Sequence, residues 1–243
     1  MTSAADLPTP PAPDPLPRLV VLDMAGTTVD DRDEVYRVLR EAVQREGARV
    51  DDTTFQRWMG TEKRAAITHL LDVGGIDPDD ELVETAFAWF LTELARTYTE
   101  APPVPLPGVE QALRALRDAG IAIALTTGFF RDIADMILGR MGWEVGPDEL
   151  LDAVVCGDEV PAGRPAPDMI RAAMAITGVE DPAAVLSAGD TAVDIASARA
   201  AGATAVGVLT GHLSREDVLA EGADLVLDSV ADLPGRLGLG ARA

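Results

Sequence analysis

The sequence predicts an α/β fold: a core with a parallel sheet, and a bundle of helices inserted after the first strand. Three observations carry this. Leu19-Val20-Val21-Leu22 is an apolar run rich in β-branched side chains, which reads as a strand buried on both faces and ending at Asp23. Residues 33–100 show helical spacing without an intervening strand. From 109 onward strand and helix alternate, which implies parallel strands joined by right-handed crossovers.

The elements follow in order. Residues 1–17 are crowded with proline (Pro8, Pro10, Pro11, Pro13, Pro15, Pro17) and poor in core-forming side chains, predicting a disordered tail. The core is expected over 18–32 and 101–243, and the cap over 33–100. In the cap, Val35, Val38, Leu39, Ala42 and Val43 keep helical spacing up to Gly47, and 52–59 and 62–73 continue the pattern. Asp77-Pro78 reads as an N-cap followed by proline at the first helical position, opening a long helix with Leu82, Ala86, Phe90 and Leu94 on its apolar stripe. Proline and glycine at 102–108 close the insert. Strands are expected at 121–125, 153–156, 184–188, 204–208 and 224–227, with helices at 109–119, 130–141, 166–177, 192–201 and 214–220 and a final helix after them.

Composition narrows the function. With 41 Asp and Glu against 20 Lys and Arg, the net charge of −21 repels nucleic acid and anionic membranes. A small anionic substrate would then need a local positive patch. No apolar run approaches the roughly 18 residues that span a bilayer, and Cys156 alone supports neither a disulfide framework nor a CxxC metal site. A cytoplasmic protein is expected, with Cys156 as a buried strand residue. A homodimer is left open.

A parallel sheet brings its strand ends to one edge, where such folds keep their active sites. Here those ends carry Asp23, Thr127, Arg164 in the loop beyond its strand, and Asp190 with Asp194. Singly, Thr127 also reads as a capping hydroxyl, Arg164 as a solvated charge, and the Asp190 pair as an N-cap and a first-turn acid. Together they supply a nucleophile, a phosphate-binding hydroxyl, a cation and carboxylates for Mg²⁺, the set that phosphoryl transfer requires.

In order and spacing these motifs resemble the haloacid dehalogenase superfamily, with matches at Asp23 to Thr27, Thr127, Arg164, and Gly189 to Asp194. The resemblance implies a Rossmann-like parallel-sheet core with an inserted α-helical cap at about residues 33–100, and Mg²⁺ held by Asp23, the carbonyl of Ala25 and Asp190, with Asp194 in support. It also implies phosphoryl or substrate contacts from Ala25, Gly26, Thr27, Gly128 and Met59. One departure is informative. Phosphatases of the superfamily place a second Asp two residues after the nucleophile, to protonate the leaving alkoxide, and the methyl of Ala25 cannot do this.

Asp-x-Ala-Gly-Thr-Thr is similar instead to the phosphonatase (phosphonoacetaldehyde hydrolase) family, in which a cap lysine forms an imine with the aldehyde before the carbon–phosphorus bond breaks. Met59-Gly60-Thr61-Glu62-Lys63 places Lys63 at that position, and with Thr61 as N-cap it falls in a first helical turn, which favours a neutral amine. Glu62 opposes this. Val160-Pro161-Ala162-Gly163-Arg164-Pro165 resembles the same family, with Arg164 able to fork two oxygens of a phosphonate.

Where phosphonatases carry a loop Cys, a cap His and a Tyr, this chain has Asp33, Ala66 and Phe129. His69, one turn beyond Ala66, reads either as a partial replacement or as a surface residue, and His212 as a loop residue. Trp58, Met59 and Trp89 read as cap packing, with Met59 facing the cleft if the resemblance holds. The expected activity is a Mg²⁺-dependent phosphonatase acting on phosphonoacetaldehyde or a related 2-oxoalkylphosphonate. The alternatives are a phosphatase for an ester with an acidic leaving group, and a binding protein on a degenerate scaffold.

Overall fold

In the computed structural model, residues 16–239 are described; most of the proline-rich tail lies outside them. Six parallel strands form the sheet in the order β5-β4-β1-β6-β7-β8: β1 (Leu19–Asp23), β4 (Ala122–Thr127), β5 (Ala153–Cys156), β6 (Val185–Gly189), β7 (Thr204–Val208) and β8 (Leu225–Leu227). β1 is central, paired with β4 on one side and β6 on the other. Its side chains alternate as the apolar run predicts, Val20 and Leu22 entering one core cluster and Leu19 and Val21 the other. Chain order reverses at β1, so a crevice opens beside Asp23 at the carboxyl edge.

Flanking this sheet are α5 (Val109–Asp118), α6 (Arg131–Met141), α7 (Asp168–Thr177), α8 (Ala192–Ala201), α9 (Arg215–Ala220) and the short α10 (Leu233–Arg236). The insert holds α1 (Glu34–Arg45), α2 (Asp52–Gln56), α3 (Lys63–Val73) and α4 (Asp80–Glu100). Its apolar faces pack on one another: Phe55, Ile67, Leu70, Phe90, Leu94 and Tyr98 are almost fully buried. Each large side chain so buried is worth about 2 kcal/mol.

Three local expectations are corrected. The long helix is capped by Asp79, whose carboxylate accepts from Leu82 N at 2.8 Å, so Pro78 lies outside it. The segment 52–59 is helical only to Gln56 and then turns towards Gly60, whose φ of +75° ends regular structure. Thr61 is not the N-cap of α3; Glu62 is, accepting from the N–H groups of Arg64 and Ala65.

Two short strands missed from the sequence, β2 (Val29–Asp30) and β3 (Val104–Pro105), pair antiparallel and join the two linkers between core and insert. Arg32 ties the same linkers by donating to the carbonyls of Ala101 and Pro102 at 2.7 and 3.0 Å. Asp31 adds a third tie, accepting from Tyr98 Oη at 2.7 Å and from Val35 N at 3.0 Å.

Candidate active site

Asp23 reaches the cleft because β1 ends in a tight turn. Val29 N and Thr28 N both donate to the carbonyl of Met24, and Gly26 N donates to that of Val29. None of these bonds uses the carbonyl of Ala25. Thr28 Oγ1 donates to the backbone oxygen of Asp23 at 2.8 Å. Gly26 has φ +82°, and a Cβ there would lie 2.7 Å from Asp190 Oδ2. Glycine is needed on both counts. The Thr27 hydroxyl donates to Asp190 Oδ1 at 2.8 Å and so orients that carboxylate.

Arg164 is held from three directions. Nη1 meets Asp23 Oδ1 at 2.6 Å, Nη2 donates to the carbonyl and hydroxyl of Thr126 at 2.8 Å each, and Nε lies 2.9 Å from Asp194 Oδ1. Of the five donors of a guanidinium, only the second hydrogen of Nη1 is left for a substrate oxygen. The expected two-oxygen fork is therefore reduced to one contact. Thr127 Oγ1 accepts from Phe129 N at 3.1 Å, which leaves its own proton free to donate.

Asp23, Asp190 and Asp194 are buried and offer oxygens within 4.8 Å of one another. Asp194 sits in the first turn of α8, accepting from the N–H and hydroxyl of the N-cap Thr191. Thr191 rather than Asp190 takes the N-cap place. Among the described residues no cation pairs with Asp190. Burial and its two carboxylate neighbours push Asp190 well above the usual carboxylate range, and burial, opposed by Arg164, brings Asp23 up to about 6. A buried carboxylate without a counter-charge costs several kcal/mol. An all-oxygen set of this kind fits a hard divalent cation, which would relieve that cost.

The insert closes over these strand ends through its loop 58–63. A Cβ on Gly128 would lie 2.7 Å from the carbonyl of Thr61, and one on Gly60 would lie 2.6 Å from Thr191 Oγ1, so cap and core backbones meet here without side chains between them. Phe87 of α4 packs on Phe130 of the core, ring centroids 4.7 Å apart. Lys63, the first residue of α3, is turned inward and is only 4% exposed. Its Nζ donates to the carbonyl of Thr61 at 2.9 Å and lies 5.7 Å from the centre of the Phe129 ring. Burial lowers its pKa to about 8; the charge of Asp23 opposes the shift and that of Arg164 supports it.

Met59 lines a small cavity that also touches Asp190, Thr191, Val193 and His212. Ala66 and Phe129 are buried and apolar. Asp33, at the predicted loop-Cys position, turns instead to His212 Nε2 at 3.0 Å. His69 is exposed and stacks on Trp58, with centroids 4.2 Å apart, so it does not stand in for the lost His. Cys156 is buried in β5, and that burial pushes its thiol up to about 12. Thr126, which holds Arg164 through its carbonyl and hydroxyl, was not anticipated; only its place beside Thr127 hinted at it.

Comparison with known proteins agrees with this geometry. A family model described as haloacid dehalogenase-like hydrolase matches residues 17–202. The chain is 32% identical over 231 residues to a phosphoglycolate phosphatase of Pseudomonas putida, covering 92% of this chain and 81% of that one. It is 28% identical over 260 residues to a phosphonoacetaldehyde hydrolase of Bacteroides fragilis, covering 90% and 95%. Among solved structures it superposes on a phosphonoacetaldehyde hydrolase-like protein from Oleispira antarctica with TM-score 0.77 at 23% identity, covering 98% and 95% of the two chains. A hydrolase from Pseudomonas syringae gives TM-score 0.79 at 24% identity, with 92% and 99% covered. With a family model spanning most of its length and three buried carboxylates gathered at the carboxyl edge of its sheet, the chain belongs to the haloacid dehalogenase-like hydrolases.

Proposed function

We propose that this hydrolase cleaves the carbon–phosphorus bond of phosphonoacetaldehyde or a related 2-oxoalkylphosphonate, with Lys63 as imine-forming amine and Asp23 as nucleophile. The observation that carries the reading is Lys63 itself: sealed under the cap, brought down to about 8, and within the field of Asp23. Relative to an ordinary lysine near 10.5, that shift raises the neutral fraction at pH 7 roughly 300-fold. At Ala25 the chain has a methyl group where ester-cleaving members carry their proton donor. An imine removes the need for that donor.

In this mechanism the Lys63 amine adds to the substrate carbonyl, and loss of water gives a protonated imine. An Asp23 carboxylate oxygen then bonds to phosphorus as the carbon–phosphorus bond breaks, its electron pair passing into the imine to form an enamine. Protonation and hydrolysis of the enamine release the aldehyde and restore Lys63. Water cleaves the aspartyl-phosphate to inorganic phosphate. Arg164 and Thr127 each direct one hydrogen at the transferring group, where fixed donors stabilise developing charge. Mg²⁺, for which Asp23, Asp190, Asp194 and the Ala25 carbonyl are the fitting ligands, would neutralise phosphoryl charge. The closed contact of loop 58–63 with Gly128 and Thr191 keeps bulk water out until the cap moves.

The higher identity to a phosphoglycolate phosphatase supports a second reading, hydrolysis of a small phosphate ester with Lys63 only binding substrate. A panel of phosphonoacetaldehyde, phosphoglycolate and p-nitrophenyl phosphate, with and without Mg²⁺, separates the two when repeated with Lys63→Ala. The phosphonatase reading expects phosphonoacetaldehyde turnover with a kcat loss of at least about 10³-fold in the variant. Efficient phosphoglycolate hydrolysis that survives Lys63→Ala with only KM raised would establish the phosphatase.

A further inference from the structure

The chain leaves β7 at the same edge of the sheet that carries Asp23, with Leu209 N still donating to the carbonyl of Leu227 at 3.1 Å. The next three residues have no part in the reaction described above, yet each meets a different segment. The Thr210 hydroxyl donates to the carbonyl of Gly26. Gly211 abuts Asp190: a Cβ there would lie 2.0 Å from Oδ2. His212 meets Asp33, where the chain enters the cap. The segment is thus held on both sides of Thr210, by a backbone bond before it and a side-chain contact after it.

Asp190 Oδ2 lies between two glycines. A Cβ on Gly26 would come to 2.7 Å from it and one on Gly211 to 2.0 Å, so this carboxylate occupies a slot whose walls are bare backbone. The width of that slot depends on how the 24–28 turn and the 210–211 segment stand to one another. The bond from Thr210 to Gly26 joins the two walls directly.

The same bond fixes the turn. Gly26 N donates to the carbonyl of Val29 at 2.9 Å, which aims the Ala25 carbonyl, on the opposite side of that planar peptide, away from Val29. The following peptide is held by Thr27 N on the carbonyl of Met24 at 3.2 Å and, at its oxygen, by Thr210. Gly26 stands between the two peptides at φ +82° and, with no side chain, does little to keep the angle between them. Among the described residues no other donor reaches the Gly26 carbonyl. Thr27 then passes the arrangement on, since its hydroxyl donates to Asp190 Oδ1 at 2.8 Å.

We infer that Thr210 is a positioning residue of the cation site: its hydroxyl holds the Gly26–Thr27 peptide, and through it the Ala25 carbonyl and the grip of Thr27 on Asp190, in the arrangement a divalent cation requires. This rests on the buried carboxylates as a divalent-cation site, which the phosphonate and ester readings share, and not on the imine.

The test uses the full chain with Thr210→Val, which keeps the shape and removes the donor, and Thr210→Ser, which keeps the donor. Calorimetry with Mg²⁺ alone should show affinity about tenfold weaker for the valine variant, with the serine variant within about twofold of the parent. Melts in EDTA report what each substitution does to the fold; the further rise in melting temperature on adding Mg²⁺ should shrink for valine and not for serine. In the unmutated chain, three-bond couplings to the Thr210 γ-methyl should show a single χ1 rotamer with Mg²⁺ bound, a reading independent of how the variant folds. A valine variant that melts lower in EDTA but binds Mg²⁺ within about twofold of the parent would make Thr210 purely structural and overturn the assignment. So would a rotamer-averaged Thr210 in the Mg²⁺-loaded chain. A parent chain that binds no Mg²⁺ would overturn the cation site and the assignment together.

Discussion

Lys63 is the residue whose placement costs stability. Its folded value of about 8 lies below the ordinary 10.5, so between those limits the unfolded chain binds the extra proton and stability rises with pH. Lys63→Met, which keeps the volume and removes the charge, should abolish that slope and raise the melting temperature at pH 7 by about 2–4 °C. Thermal melts across pH 7–10.5 check both, and a lower melting temperature for the variant would contradict the account. Asp23, Thr127, Arg164 and the Asp190 pair were legible because strand ends deliver chemistry in a fixed order. The bond from Thr27 to Asp190 was not, since nothing local in the sequence shows which distant carboxylate a hydroxyl meets.

At the scale of elements, the start of α3 decides how the amine is aimed. The sequence expectation put Thr61 at the cap and left Glu62 as a charge opposing a neutral Lys63. Glu62 itself caps the helix, accepting from the free N–H groups of Arg64 and Ala65 at 2.7 and 2.8 Å, and its charge still holds the Lys63 pKa up against burial, as expected. Asp33 holds the N-cap position of α1 without a side-chain bond, and Asp31 accepts from Val35 N in its place, with Arg32 and Asp33 both in left-handed backbone at the linker. Such choices between adjacent polar residues depend on the approach of another segment, which local propensity does not contain. The contact of loop 58–63 with the core yields a prediction: Gly128→Ala must push the Thr61 carbonyl away. Its kcat/KM should fall by at least about tenfold while the melt changes little; parental kinetics would show that the closed contact is not needed for turnover.

For the molecule as a whole, charge and closure act together. A net charge of −21 repels an anionic substrate at long range, and inside the cleft the confined donors, with the divalent cation that the buried carboxylates fit, would reverse this. Raising ionic strength from about 20 to 200 mM should therefore raise kcat/KM for a dianionic substrate about two- to fivefold. Stopped-flow or initial-rate measurements at fixed Mg²⁺ check this, and a monotonic fall would place an uncancelled positive surface near the cleft. The architecture was readable because a doubly buried strand, a strandless helical insert and regular alternation point to one topology. The β2–β3 pair and the Arg32 tie were not, because they join linkers about 70 residues apart through backbone carbonyls.

The imine on Lys63 is tested most directly by mass spectrometry after borohydride reduction in the presence of phosphonoacetaldehyde. The account predicts irreversible inactivation and a single reduced adduct on the peptide carrying Lys63, absent from Lys63→Ala. An unmodified Lys63 peptide from protein that keeps its full activity would contradict it.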